Sequence, residues 1–163
     1  MRAAAVFLSC VLLAACGWQL RGASQLTNIE TLDVRGASFE FRRDLVRLLE
    51  RDGILVHEHA PLTLDLTRER WTQRIIGVDA LGREAERELR LSTGWRLRDE
   101  TGQALTAHQV IQVIRSFNYD PTNVAAASDE EQITREAMYR DALGQLMRQL
   151  EAASARLDFE ETD

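Results

Sequence analysis

Glu86-Arg87-Glu88-Leu89-Arg90-Leu91-Ser92-Thr93-Gly94-Trp95-Arg96-Leu97-Arg98 is the stretch on which the fold turns. Leu89, Leu91, Thr93, Trp95 and Leu97 recur at every second position, with Glu86, Glu88, Arg90, Arg96 and Arg98 between them. A period of two puts the first set on one face of a strand and the second on the other, so one face is buried and one is wet. Upstream, Gly77-Val78-Asp79-Ala80-Leu81-Gly82 reads as a glycine-bounded hairpin loop, entered by strand character that continues from Leu62–Thr67 through Trp71 to Ile76. Downstream, Asp99-Glu100-Thr101-Gly102 makes a turn into a last strand, Gln103 to Phe117, rich in the β-branched Val110, Ile111, Val113 and Ile114. Three long antiparallel strands in a meander are implied.

Moving outward, Leu62, Leu64 and Leu66 alternate with Thr63, Asp65 and Thr67, and Ile54 to Val56 is extended ahead of them. Pro61 lies between, so that strand is split there or begins after it. Ile29 to Arg35 forms a short first strand. From Ser38 the period lengthens: Phe41, Leu45, Leu48 and Leu49 share one stripe of a helix that Gly53 stops. At the other end, Asn118 to Asn123 breaks the last strand, and Ser128-Asp129-Glu130-Glu131 has the form of a capping box. It opens a helix to about Ala155, with Ile133, Ala137, Met138, Leu143, Leu146, Met147 and Leu150 at helical spacing. The element order is β-α-β-β-β-α. It predicts an α+β fold: a four-stranded, mostly antiparallel mixed sheet with two helices packed on one face, in a single domain over 29–155. Residues 156–163 read as an acidic disordered tail.

The chain begins with a different signal. Met1-Arg2 is positive, Ala3 to Leu13 is apolar, and Leu13-Ala14-Ala15-Cys16 is a small-residue cleavage signature with cysteine at the first mature position, a lipobox. A membrane-spanning anchor is the competing reading, but thirteen uncharged residues fall short of the roughly twenty that a spanning helix needs. Residues 1–15 are therefore expected to be a lipoprotein signal peptide and Cys16 the lipidation site. Residues 16–28, with Trp18 between Gly17 and Gly22, read as a lipidated tether. Cys10 would leave with the signal and Cys16 would be acylated, so the mature chain would hold no disulfide and would rest on packing alone.

The 163 residues carry a formal net charge of −6, unevenly spread. Between Arg68 and Arg98 lie eight arginines against five acids, a basic island on an acidic protein. Such an island suits phosphate, acidic lipid or an acidic partner. Arginines paired with neighbouring glutamates on a wet strand face are the plainer reading of the same residues. Catalysis has no visible seat: no GxSxG, HExxH, P-loop or GxGxxG occurs. His57 and His59 would share a face on a strand, yet no third metal ligand is signalled, so they read as loop histidines. His108 reads as structural or surface. The chain is acidic and exported, which argues against nucleic acid.

Leu13-Ala14-Ala15-Cys16-Gly17-Trp18-Gln19-Leu20-Arg21-Gly22 is similar to the lipobox and CGWxLR opening of the LptE family of lipopolysaccharide-assembly lipoproteins. Arg115-Ser116-Phe117, Pro121, Glu131-Gln132-Ile133, Met138-Tyr139 and Gln145-Leu146 resemble the last strand, loop and C-terminal helix of that family. The resemblance implies a non-enzymatic lipoprotein of the outer membrane with no cofactor beyond the lipid on Cys16. It would lodge inside the β-barrel translocon LptD, assist its assembly and bind lipopolysaccharide. Contacts to lipopolysaccharide in relatives are attributed to basic residues in the loop between the middle strands and the loop before the last helix. Here 123–128 has no basic residue and the first loop is flanked by Arg74 and Arg83. Arg74, Arg83 and Arg87 are accordingly the expected ligand-binding residues, since arginine–phosphate pairs are short and often bidentate. The alternative is a free-standing periplasmic lipoprotein that binds an anionic lipid or serves a transporter. Gly17, in place of an aspartate that would favour inner-membrane retention, favours the outer membrane.

Overall fold

A computed structural model of the chain describes residues 29–160. The expected signal peptide, Cys16, the tether and the last three residues lie outside them. The elements are β1 (Thr31–Gly36), α1 (Phe39–Arg51), β2 (Leu55–Val56), β3 (Thr63–Leu66), β4 (Arg70–Val78), β5 (Glu84–Arg98), β6 (Gln109–Asn118) and α2 (Val124–Glu160). They form an α+β fold with a mixed sheet of six strands, in the order β2-β1-β3-β5-β4 with β6 on β5.

The sheet thus has two more strands than the sequence implied, and the element order changes with them. The segment read as one interrupted strand is three. Leu55 and Val56 pair in parallel with Thr31 and Leu32, while β3 pairs in parallel with the rest of β1 and antiparallel with β5. Between β2 and β3 the backbone turns at His59, which takes a left-handed φ of 65° just before Ala60 and Pro61. Between β3 and β4 Thr67 forms a clamp on β5. Its N–H donates to the Gly94 carbonyl at 2.8 Å, its hydroxyl accepts from the Gly94 N–H at 2.6 Å, and its carbonyl accepts from the Thr93 hydroxyl at 2.8 Å. β3 and β4 therefore lie end to end along one edge of β5, and β6 takes the other edge.

The last strand is also shorter than expected. Leu97 N–H donates to the Thr106 hydroxyl and not to a main-chain carbonyl, so the chain from Gln103 meets β5 only at Ala104, Leu105 and Thr106 before the ladder resumes at Gln109. The final helix is longer at both ends. Asn123, not Ser128, caps it: the Asn123 side chain accepts from Ala126 N–H at 3.3 Å, and Val124-Ala125-Ala126-Ala127 forms the first turn. Alanine is the best helix former, so the helix gains a turn ahead of the capping-box sequence. No glycine or proline stops it after Ala155, and it continues to Glu160 through part of the expected tail.

One core serves all elements. Leu32 and Val34 on β1, Leu64 and Leu66 on β3, Leu89, Leu91, Trp95 and Leu97 on β5, and Ile111, Val113 and Phe117 on β6 pack with Phe41, Leu45 and Leu49 of α1 and with Met138, Leu146 and Leu150 of α2. Ser38 caps α1 by accepting from Phe41 N–H. It also shares a 3.0 Å hydrogen bond with the Tyr139 hydroxyl of α2, and its N–H donates to the Glu69 carboxylate. Tyr139 is an edge-on neighbour of Phe41 and stacks parallel to Trp71. This group binds the start of α1, the start of β4 and the middle of α2 together.

Burial pushes the Asp33 carboxyl up, but hydrogen bonds from the Arg35 guanidinium and the His59 N–H outweigh it and hold it below the usual carboxylate range. A depressed carboxyl stabilises the fold above its unfolded pKa and loses that effect as pH falls through the folded value. Asp33→Asn is expected to be less stable than the parent at pH 7, with the gap in urea midpoint closing below about pH 4. Gly36 (φ 76°) approaches β3 so closely that a Cβ would sit 1.9 Å from the Leu66 carbonyl oxygen, whereas Gly53 (φ 92°) has open space. Gly53→Ala should cost on the order of 1–2 kcal/mol, the left-handed penalty alone. Gly36→Ala should cost clearly more or prevent folding, as read by thermal unfolding of the two variants.

Candidate functional site

The far end of the β4–β5 hairpin carries large apolar side chains that the rest of the fold does not bury. Its loop is built by Asp79, whose carboxylate accepts from Leu81 N–H at 2.8 Å and Arg83 N–H at 2.9 Å, with Gly82 at φ 75° closing the turn. The Arg83 guanidinium donates to the same carboxylate. The Arg83 N–H and guanidinium hold the Asp79 carboxyl below its ordinary value. Register shifts around Gly77 distort β4 just before this loop.

Around that turn sit Ile75, Ile76, Val78 and Leu81, exposed by 52%, 43%, 64% and 77%. Four large apolar residues exposed about one turn are a concentration of the kind that marks a lipid or protein interaction surface. Sequence alternation missed it. The signal was present in the adjacent Ile75-Ile76 pair, which breaks the period of two and must expose one isoleucine.

The three arginines nominated from the sequence do not converge. Arg74 stands on the outer face, opposite Glu88, and donates to it in bidentate fashion at 2.8 and 3.0 Å. Arg83 lies at the tip. Arg87 belongs to the inner face with Leu89 and Leu91, pairs with Glu84, and rests 3.4 Å over the Tyr119 ring. Each already has a carboxylate partner. Hydrogen bonding to that partner keeps the Arg74 and Arg87 guanidinium groups firmly charged. The same pattern runs along the outer face of the sheet, where Arg98 and Arg96 share Asp65 and Arg90 shares Glu88 with Arg74. Paired arginines on a wet face therefore account for much of the basic island. Exposed pairs of this kind are held weakly, so an anionic group competes with the carboxylates on near-equal terms.

A concavity of about 630 Å³ lies where α1, the start of β4 and α2 meet. Trp71 and Tyr139 line it, with Arg135 4.8 Å over the Trp71 ring. Arg68 and Arg140, also in its lining, have no carboxylate partner among the described residues. His57 and His59 do not share a strand face, since both lie in the loop after β2. Among the described residues no three metal-ligating side chains gather, and no helix is long and apolar enough to cross a membrane.

No curated protein matches the chain. Among solved structures, lipoprotein B from Nitrosomonas europaea is similar with a TM-score of 0.73 at 24% identity, covering 85% of this chain and 93% of that one. The rare lipoprotein B from Shewanella oneidensis gives 0.69 at 18% identity, covering 78% and 98%. A minor lipoprotein from Acinetobacter baumannii gives 0.64 at 18%, covering 76% and 91%. At these identities the likeness is one of fold. The family model LptE, described as lipopolysaccharide-assembly, matches residues 26–150, well over half of the 163. The chain belongs to the LptE lipopolysaccharide-assembly family.

Proposed function

We propose that this protein is a non-catalytic outer-membrane lipoprotein, acylated at Cys16, that plugs and helps assemble the LptD barrel and binds lipopolysaccharide on its way to the outer leaflet. Family membership supports the assembly role. The observation that carries the ligand reading is the exposed tip: apolar Ile75, Ile76, Val78 and Leu81 beside Arg74 and Arg83. Lipopolysaccharide is an amphiphile with acyl chains and phosphates, and this pairing of chemistries matches both ends. Burying apolar area contributes roughly 25 cal/mol per Å², which for several large side chains outweighs what the exposed arginines add. The apolar residues thus supply affinity, and the arginines supply orientation and preference for anions.

The same tip offers a plug its contact with a barrel wall, and the paired outer face keeps the remaining sheet compatible with a wet lumen. Anchoring follows from several acyl chains at one residue, since a single chain binds only reversibly.

Mass spectrometry of the protein purified from membranes is expected to show Cys16 acylated and residues 1–15 gone; an unmodified thiol there would defeat the anchoring reading. For the ligand, a photoreactive residue at position 81 should crosslink to lipopolysaccharide. Leu81→Asp is expected to weaken binding about tenfold and Arg74→Ala by a few-fold, both without a change in thermal midpoint. Equal binding by Leu81→Asp would move the ligand site elsewhere. Recovery of the protein as a detergent-extracted monomer with no barrel would favour the free-standing periplasmic lipoprotein.

A further inference from the structure

Strand β6 is the outermost strand on its side of the sheet, paired with β5 over an unbroken register from Glu86↔Asn118 to Trp95↔Gln109. Which of its main-chain groups are satisfied follows from one bond. Tyr119 N–H donates to the Ala85 carbonyl, in the same register as the ladder. Hydrogen-bonded and non-bonded pairs alternate along an antiparallel ladder. Residues 109, 111, 113, 115 and 117 therefore exchange hydrogen bonds with β5. The N–H and C=O groups of Val110, Gln112, Ile114, Ser116 and Asn118 point away from it. Among the described residues no other strand pairs with β6, so five donors and five acceptors stand in a row.

Edges of this length are ordinarily protected by charge, proline or a bulge. The opposite edge, β4, has such protection: Arg70 and Arg74 stand on it, and its register shifts near Gly77. β6 has none. Its single charge, Arg115, is on the helix side and donates to Asp141 of α2 at 2.5 Å. The residues whose main-chain groups are free carry Val110 and Ile114, exposed by 59% and 45%, with uncharged Gln112, Ser116 and Asn118. A row of main-chain groups at this spacing is matched by one class of ligand, another polypeptide in the extended conformation. The uncharged flank asks for a segment whose facing side chains are apolar or neutral.

We propose that the free edge of β6 binds an extended segment of the barrel polypeptide by strand addition. This deepens the function proposed above and rests on it. A closed barrel wall has no free edge to offer, so the segment belongs to a loop or a chain end that enters the lumen. It lies against Val110, Gln112 and Ile114 and extends the sheet to seven strands.

Amide hydrogen exchange on the full-length lipoprotein, free and in its purified complex with the barrel, tests this directly. The amides of Val110, Gln112, Ile114 and Ser116 should exchange freely in the isolated protein. In the complex they should slow on the order of 100-fold, while those of 111 and 113 are protected in both. Gln112→Pro and Ile114→Pro remove outward N–H groups and leave the β5 ladder intact, so they should lower barrel affinity about tenfold with little change in unfolding midpoint. Val113→Pro, which removes an inward bond, should destabilise the protein itself. A complex that forms with those four amides still exchanging freely overturns strand addition and leaves the proposed function standing. Absence of any complex overturns both. Slow exchange of the same amides in the isolated protein, from self-association or from the chain's own N-terminal segment, also overturns it.

Discussion

Everything in this fold is hung on one strand that must satisfy three neighbours at once. β5 is fifteen residues long, bonds β3 and β4 in succession along one edge and β6 along the other, and packs its odd-numbered side chains beneath α2. Those demands are compatible only because its inner face is apolar over the length the helices cover and its outer face is charged. Leu89, Leu91, Trp95 and Leu97 are almost wholly buried, and the Trp95 indole N–H, which would otherwise lack a partner, donates to Gln149 of α2 at 2.7 Å. The alternation then fails toward the hairpin, where Arg87 replaces an apolar residue on the inner face and the core ends.

That strand is also why the general plan was legible in the sequence. A period of two sustained from Leu89 to Leu97 admits no helix, and the stripe through Phe41, Leu45 and Leu49 admits no strand. Both features are local. What was not legible depends on pairings between distant residues. Nothing near Thr67 announces that its hydroxyl will meet Gly94, twenty-seven residues away, and bend one ladder into two strands. The capping-box pattern at Ser128 was misleading for a related reason. Glu131 does not reach back to Ser128 but pairs with Arg135 one turn ahead, and the alanines before Ser128 continue the helix to Asn123.

The candidate site shows the same division. Charge was countable along the chain, so the arginines were found, but their partners were not. Glu88 opposite Arg74 is a matter of register, and Arg87 over Tyr119 is a matter of the chain's return from β6. The apolar tip went unnoticed because hydrophobic residues in a strand are assumed to face a core. Here β4 and β5 run on past Leu89, the last fully buried inward residue of β5, and Ile75, opposite Arg87, is left half-exposed.

Fifteen residues at about 3.3 Å each make β5 roughly 50 Å long. β1 runs from the Arg98 end of β5 toward the Trp95 end, so the chain enters the domain at one extremity and the hairpin loop lies at the other. With the anchor on Cys16 as proposed, the protein is a ruler fixed at its zero mark. The reach of its greasy fingertip is then bounded by strand length, and inserting or deleting two residues in each strand of the hairpin would change that reach in steps of about 7 Å without touching the core.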